Sequence, residues 1–520
     1  MRKIYILLII LVLGVTGMAY LYFSNLDRET SPSDNSLHLV SANAPIIFTF
    51  ENDKGFYDIL AQQNITNDIL GTEKSNLLKT LRENVANNAK FNHLIEGEKV
   101  IIGFLPTKNN QVDFVIATQT KAKKLDAAML NQINAAVKQD GSAYHIKFGD
   151  SSECYVAIIN RSIFLSNSKQ ALKTLSETKL PNNEFAAYIK QNNRFGKNTL
   201  ASVYINYKQL PSLLKDILNT NLIGELSVFN QQNAYASLSY NFSSDKLLLN
   251  GYTEIKDGQN YFKLFVDQKE QKINIDQLFP EQTANYVLFT INDYAVWSKA
   301  LKDWQKSKKE DEKIAEQLRN IDEKYRIDIN QIFPRYFNKQ LATIELKSGE
   351  KIGIVEIKNG DKLGQLLLDL GSEYAPDIRI FKEPDLLYNY FGEPFKKFER
   401  PFYTIIDNHL VVANNASTVQ VFLNAYKNDH LLMNTEGYNA FKDQTPSAAT
   451  IAFYINNKNS NDIFGRNLKP TYYKQYKSEK GVKNYNAFGY QLSADNGKFT
   501  SNILLLKNQT KTDTVKLTDN

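Results

Sequence analysis

The sequence predicts an α+β protein: two tandem homologous repeats of antiparallel sheet with helices packed on one side, after one N-terminal transmembrane helix. Three observations carry this. An uncharged run of 20 residues, Ile4 to Phe23, stands near the start. Beyond it, short apolar stretches bounded by turn residues alternate with helix-length amphipathic stretches, the mixture expected of strands and helices in one domain. And the pattern CYVAIINRSIFLSNSKQALKTL, from Cys154, returns as PFYTIIDNHLVVANNASTVQVFL, from Pro401.

The N-terminal run is long enough, as a helix of about 30 Å, to cross a bilayer core. A cleaved signal peptide has a shorter apolar core of about 7–15 residues before a small-residue site. Here the run continues past Gly17-Met18-Ala19 through Tyr20, Leu21, Tyr22 and Phe23, whose rings suit a membrane interface. We read 1–23 as an uncleaved anchor. Arg2 and Lys3 precede it, and Asp27, Glu29 and Asp34 follow with Arg28 alone for balance. The positive-inside rule then keeps the N-terminus in the cytoplasm and exports the rest to the periplasm or exterior, held in the inner membrane by residues 4–23. The polar stretch 24–37 reads as a flexible tether.

In the repeated pattern an apolar strand ends in a two-residue turn, Asn160-Arg161 or Asp407-Asn408. A second strand follows, and then helix-capping residues, Ser166-Asn167-Ser168 or Asn414-Asn415. Each copy therefore predicts a β-hairpin leading into a helix. Three further echoes keep the same order. Phe48-Thr49 answers Phe289-Thr290, Tyr204-Ile205-Asn206 answers Tyr454-Ile455-Asn456, and Asn233-Ala234-Tyr235 answers Asn486-Ala487-Phe488. The spacing is far longer than a solenoid period of about 20–50 residues, so each copy is domain-sized. The predicted organisation is 38–265 and 266–507 as the two repeats, with 508–520 a polar tail.

Within the first copy the elements follow in order. A strand over Ile46–Phe50 leads to a helix from Phe56 to Gln62. A helix over Lys74–Ala89 carries Leu77, Leu78 and Leu81 on one stripe. Strands over Lys99–Leu105 and Val112–Thr118 come next. Leu125, Met129, Ile133 and Val137 then mark a helix over Leu125–Val137. After the hairpin and its helix come a strand over Val203–Asn206, a helix over Leu210–Leu218 and a hairpin around Ser243-Ser244. In the second copy, Lys306–Tyr325 predicts one charged helix laced with i,i+4 ion pairs.

A single N-terminal span, a polar tether and a duplicated unit ending in a Tyr-Ile-Asn strand together resemble a family of single-span bacterial envelope proteins of unknown function. The resemblance covers nearly the whole chain. It implies a location and no activity, and it carries over no functional residues.

The composition is that of an ordinary folded protein, with 42% apolar and 23% charged residues among 520. The net charge of +6 comes from cations spread along the chain, without the basic run that nucleic-acid binding needs. Cys154 is the only cysteine, so no disulfide or CxxC site forms within the chain, and its apolar setting predicts a core residue. P-loop, G-x-S-x-G and HExxH motifs are absent. His38, His93, His145, His409 and His430 stand apart, without metal-ligand spacing. Asp150 with Glu153 and Glu310 with Glu312 are carboxylate pairs of the kind any acid-rich chain holds.

Aromatic residues are plentiful, with 29 Tyr and 30 Phe, and they cluster in TYYKQYKSEKGVKNYNAFGY. There Tyr472, Tyr473 and Tyr476 are the candidate contacts for a partner or a glycan. No cofactor is implied. The expectation is a non-enzymatic binding or scaffold protein of the envelope, with an envelope protein, lipid or glycan as partner. The alternatives are a carrier of a lipid or other hydrophobic ligand, marked by a contiguous apolar cavity, and a hydrolase of envelope polymers.

Overall fold

The computed structural model describes residues 35–508 except 62–64, 108–111, 121–129, 131–132, 134, 160–161, 179–182, 194–199, 223–224, 226–232, 242, 244, 257–259 and 480. The expected span Ile4–Phe23 lies outside the described residues. Among the described residues no helix is long and apolar enough to cross a membrane.

Among the described residues twenty strands form one continuous sheet. In the first half they are β1 (Ile46–Glu51), β2 (Lys99–Pro106), β3 (Val112–Gln119), β4 (Ala135–Asp140), β5 (Ala143–Phe148), β6 (Glu153–Ile159), β7 (Ser162–Ser166), β8 (Ala201–Asn206), β9 (Ala234–Asn241) and β10 (Lys246–Ile255). In the second half they are β11 (Thr283–Thr290), β12 (Phe337–Leu346), β13 (Lys351–Ile357), β14 (Gly371–Ala375), β15 (Ile378–Phe381), β16 (Phe402–Ile406), β17 (His409–Ala413), β18 (Ile451–Asn456), β19 (Tyr485–Asp495) and β20 (Lys498–Lys507).

Among the described residues every pairing is antiparallel. The spatial order in the first half is β4-β5-β6-β7-β3-β2-β1-β8-β9-β10. In the second half it is β14-β15-β16-β17-β13-β12-β11-β18-β19-β20. The halves meet edge to edge where β10 pairs with β20, Lys246 opposite Leu506 through Thr253 opposite Phe499. Joining the two inner edges removes two rows of unpaired backbone groups from solvent.

The second hairpin forms because its turn supplies the required backbone; the turn expected at Asn160-Arg161 lies outside the described residues. Asp407 and Asn408 both take positive φ, 45° and 60°, the two-residue turn that follows the twist of paired strands. Ser168 caps the helix Lys169–Glu177 by accepting from the Ala171 N–H. Asn415 stands at the matching N-cap of Ala416–Lys427 without a side-chain capping bond.

Helices cover both faces of the sheet, not one as expected. Along β11 every residue is buried; Val287 and Phe289 join one core cluster, Tyr286 and Leu288 another. In the first half, Asn35–Asn43, Lys169–Glu177 and Glu184–Asn192 cover one face, and Thr72–Leu81 covers the other. Strands apolar on both sides need cover on both sides.

Three other expectations change. The tether expected over 24–37 ends sooner, because a helix runs Asn35–Asn43. Its Leu37 and Val40 are fully buried, each burial worth about 1.5–3 kcal/mol. A Cβ at Gly103 would stand 2.4 Å from Val40 Cγ1, so β2 needs a glycine where this helix lies on it. The Leu125–Val137 helix is not formed as a unit. Leu125 and Met129 lie outside the described residues, and Val137 is in strand β4, opposite Ile146. The single helix over Lys306–Tyr325 is two, Tyr294–Ser307 and Asp311–Tyr325, broken where Lys309 takes φ 60°. The ion pairs found there reach other elements, Lys324 to Glu383 and Glu310 to Lys396, in place of i,i+4 partners.

One core cluster crosses the seam between the halves. It holds Phe50, Tyr207 and Tyr240 from the first half with Phe289, Phe453 and Tyr490 from the second. Inside it the Tyr207 hydroxyl donates to that of Tyr490 at 2.9 Å.

Candidate ligand cavity

An apolar cavity lies in the first half, between the sheet and the helical segment 72–92. Its volume is about 360 Å³, within the usual range of small-molecule sites, about 300–1,000 Å³. Ile102, Ile116, Ile163 and Leu165 form the floor, one from β2, one from β3 and two from β7. These residues share a face because alternate strand residues do.

The roof comes from the helix Thr72–Leu81 and the π-helical turn Arg82–Ala86, in which the Asn87 N–H donates to the Arg82 carbonyl. Leu78, Leu81 and Val85 make an apolar stripe on it, and Ser75, Lys79 and Arg82 a polar stripe beside it. Both follow from helical spacing. π-turns recur at functional sites, where the wider turn re-aims side chains.

Two anchors hold the roof over the floor. Buried Asn52 donates to the Asn92 side chain and to the Ile95 carbonyl, each at 3.0 Å. It accepts from the Tyr57 hydroxyl at 2.9 Å. On the other side, Thr80 donates to Asp150 in the β5–β6 turn at 2.5 Å. Hydrogen bonds from Ser152 and Thr80 hold the Asp150 carboxyl down at about 2. The cavity wall also carries two buried polar atoms with no hydrogen-bond partner among the described residues, Arg82 Nε and Asn67 Oδ1.

The matching face of the second half is filled. Gly353 stands opposite Val412 as Ile116 stands opposite Leu165. A Cβ at Gly353 would be 2.8 Å from Phe395 and 3.0 Å from Phe398. Both rings are completely buried and come from the segment 382–401 that joins β15 to β16. In the first half only residues 149–152 join β5 to β6. The short connection leaves the face over Ile116 open, and the long one lays phenylalanines across it.

The candidate contacts Tyr472, Tyr473 and Tyr476 fall together on a helix, Pro470–Tyr476, that braces the two halves. The Tyr472 hydroxyl accepts from the Val112 N–H of β3 at 2.9 Å. Tyr476 is buried, and its hydroxyl donates to the Asn457 carbonyl. Tyr473 is half-buried and stacks on Tyr476. Gln475, between them, donates to the Ile69 carbonyl.

Cys154 is wholly buried, and burial pushes its thiol up to about 12. His145 lies in β5 against Glu153, and the His409 ring nitrogen donates to the Asp407 carbonyl at its own hairpin turn. Burial lowers the His409 pKa. Among the described residues no three His, Cys, Asp or Glu side chains gather to hold a metal ion.

The residues of the cavity carry no sequence signature. Its floor reads as ordinary strand and its roof as an ordinary amphipathic helix. Length was the available signal, since the connection before the first hairpin is much shorter than that before the second. Compared with protein-family models, with curated proteins and with solved structures, the chain matches none.

Proposed function

We propose that this chain is an internally duplicated, membrane-anchored binding protein of the bacterial envelope, and that its first half carries a hydrophobic ligand. The observation behind the ligand is the apolar cavity over Ile116, present where the matching face at Gly353 is plugged. The duplication rests on the shared strand order and on the sequence echoes. It also rests on a reciprocal contact outside the sheet. Leu218 bridges Leu468, the Asn219 N–H donates to the Asn467 carbonyl, and the Lys469 N–H donates to the Ile217 carbonyl. These positions follow the two Tyr-Ile-Asn strands at equal distance, so each contact is the image of the other under a two-fold axis. The repeats proposed are 38–265 and 266–507, the first extended back to Asn35. The anchor and the exported location rest on Ile4–Phe23 and its flanking charges.

After duplication one copy is free to keep a cavity while the other becomes a packed support. The test is to purify the full chain from its host membrane, extract it with organic solvent and identify bound molecules by mass spectrometry. The Ile116→Trp variant, which fills the cavity, is the control. A reproducible apolar molecule that is lost from the variant is expected. The same molecules in both preparations would overturn the reading.

A further inference from the structure

The polar stripe of the cavity roof says what kind of ligand the apolar space takes. We propose that the ligand is a single-chain amphiphile with an anionic head, carboxylate or phosphate, gripped by Arg82 with Lys79 beside it. The inference rests on the cavity reading above and adds the chemistry of the polar end.

Arg82 lines the cavity, and its Nε is buried without an acceptor among the described residues. Among the described residues its ion pair is with exposed Glu83 at 3.8 Å, longer than a hydrogen bond. A guanidinium has five N–H donors in a fixed fork, and burying one of them unmet costs free energy. Carboxylate and phosphate oxygens match that fork and accept from Nε and Nη together. Lys79 stands exposed at the rim, one turn before Arg82 on the same stripe. Leu78, Leu81 and Val85 run alongside, so the roof offers a charged strip next to an apolar one. A ligand that is apolar throughout leaves Arg82 Nε unmet. One with an anionic head and a single chain meets both strips. The floor, lined by isoleucine and leucine, takes the chain.

The test uses the full chain in mild detergent and three probes with one tail: dodecanoate, dodecyl phosphate and dodecanol. Affinities are measured by calorimetric titration for the wild type, Arg82→Gln, Arg82→Lys and Ile116→Trp. The wild type is expected to bind at least one anion at least tenfold more tightly than dodecanol. Arg82→Gln should bring that anion down to the affinity of dodecanol and leave dodecanol unchanged. Arg82→Lys should keep part of the preference. The anion that binds more tightly names the head as a fatty acid or a phosphate lipid. If Arg82→Gln binds all three probes as the wild type does, the anionic head is wrong while the cavity stands. If the wild type binds dodecanol as tightly as both anions, the same follows. If the wild type binds none of the three, the cavity reading falls and the proposal with it.

Discussion

Asn250 and Asn502 face each other across the seam of the sheet, the side-chain amide of Asn250 donating to the side-chain oxygen of Asn502. The two residues hold matching places, since Asn250 lies opposite Ser239 in β9 and Asn502 opposite Gln491 in β19. The contact therefore joins two residues that hold the same place in the shared strand order of the two halves.

This contact gives the first prediction. Asn502→Leu leaves the Asn250 amide without its acceptor and should cost about 1 kcal/mol. Replacing both asparagines by leucine should cost less than the sum of the two single changes, because neither member of the pair is then left facing an apolar group, and the exposed Asn241 amide, which donates to the Asn250 side-chain oxygen, turns to water. Urea unfolding of the four species of the cycle measures the difference.

Gly353 and Ile116 should respond in opposite ways to a larger side chain. Gly353→Ala drives a methyl into Phe395 and Val412, each 2.8 Å from the new Cβ, and should cost about 1–3 kcal/mol. Ile116→Phe places its extra volume in the cavity and should leave the melting temperature unchanged or raised. Thermal denaturation of the two variants side by side checks this.

The buried Asp276 carboxylate accepts from the Tyr438 hydroxyl at 2.8 Å and from Lys442 Nζ at 2.7 Å. Lys442→Met strands that charge inside the protein and should destabilise the fold by about 3 kcal/mol. Adding Asp276→Asn to this variant should recover part of the loss. Chemical denaturation of the single and double variants measures both effects.

The thiol of Cys154 should be inert to a disulfide reagent in the folded chain and reactive once the chain unfolds. Its folded pKa, about 12, lies above the unfolded value of 9.0. The unfolded thiol therefore loses its proton first as pH rises. The stability linked to this group is fully present below pH 9 and declines between pH 9 and about 12. Thiol labelling in native buffer and in urea, and unfolding midpoints at pH 8 and 10, test the two statements.

Much of the architecture was legible because its signals are local. A two-residue turn between apolar runs specifies a hairpin within about a dozen residues, and both hairpins formed where the letters placed them. The register between the echoed stretches was not legible in the letters. By letters Phe48 matches Phe289, whereas by strand pairing Phe50 does, since Phe50 lies opposite Ala201 and Phe289 opposite Ile451. A shift of two residues keeps every side chain on its own face of a strand, so the pattern cannot detect it. Val137 fits a helical stripe with Ile133 and an alternating strand equally well. Pairing with Ile146 across the turn at Gly141 decides for the strand.

By itself the sequence determined the α+β class, the hairpins, the helices that follow them and the place of Cys154 in the core. Each of these depends on residues a few positions apart. Only the tertiary structure decided that the two halves share one sheet, that both its faces are covered, and that Tyr472 and Gln475 tie the helix Pro470–Tyr476 to the first half while Tyr473 and Tyr476 pack within the second. It alone shows the cavity, because an empty space has no letters. Whether the face over Ile116 stays open depends on which distant segment reaches it. Phe395 and Phe398 reach Gly353 from a longer connection, and nothing in the first half's short β5–β6 turn reaches Ile116 in the same way.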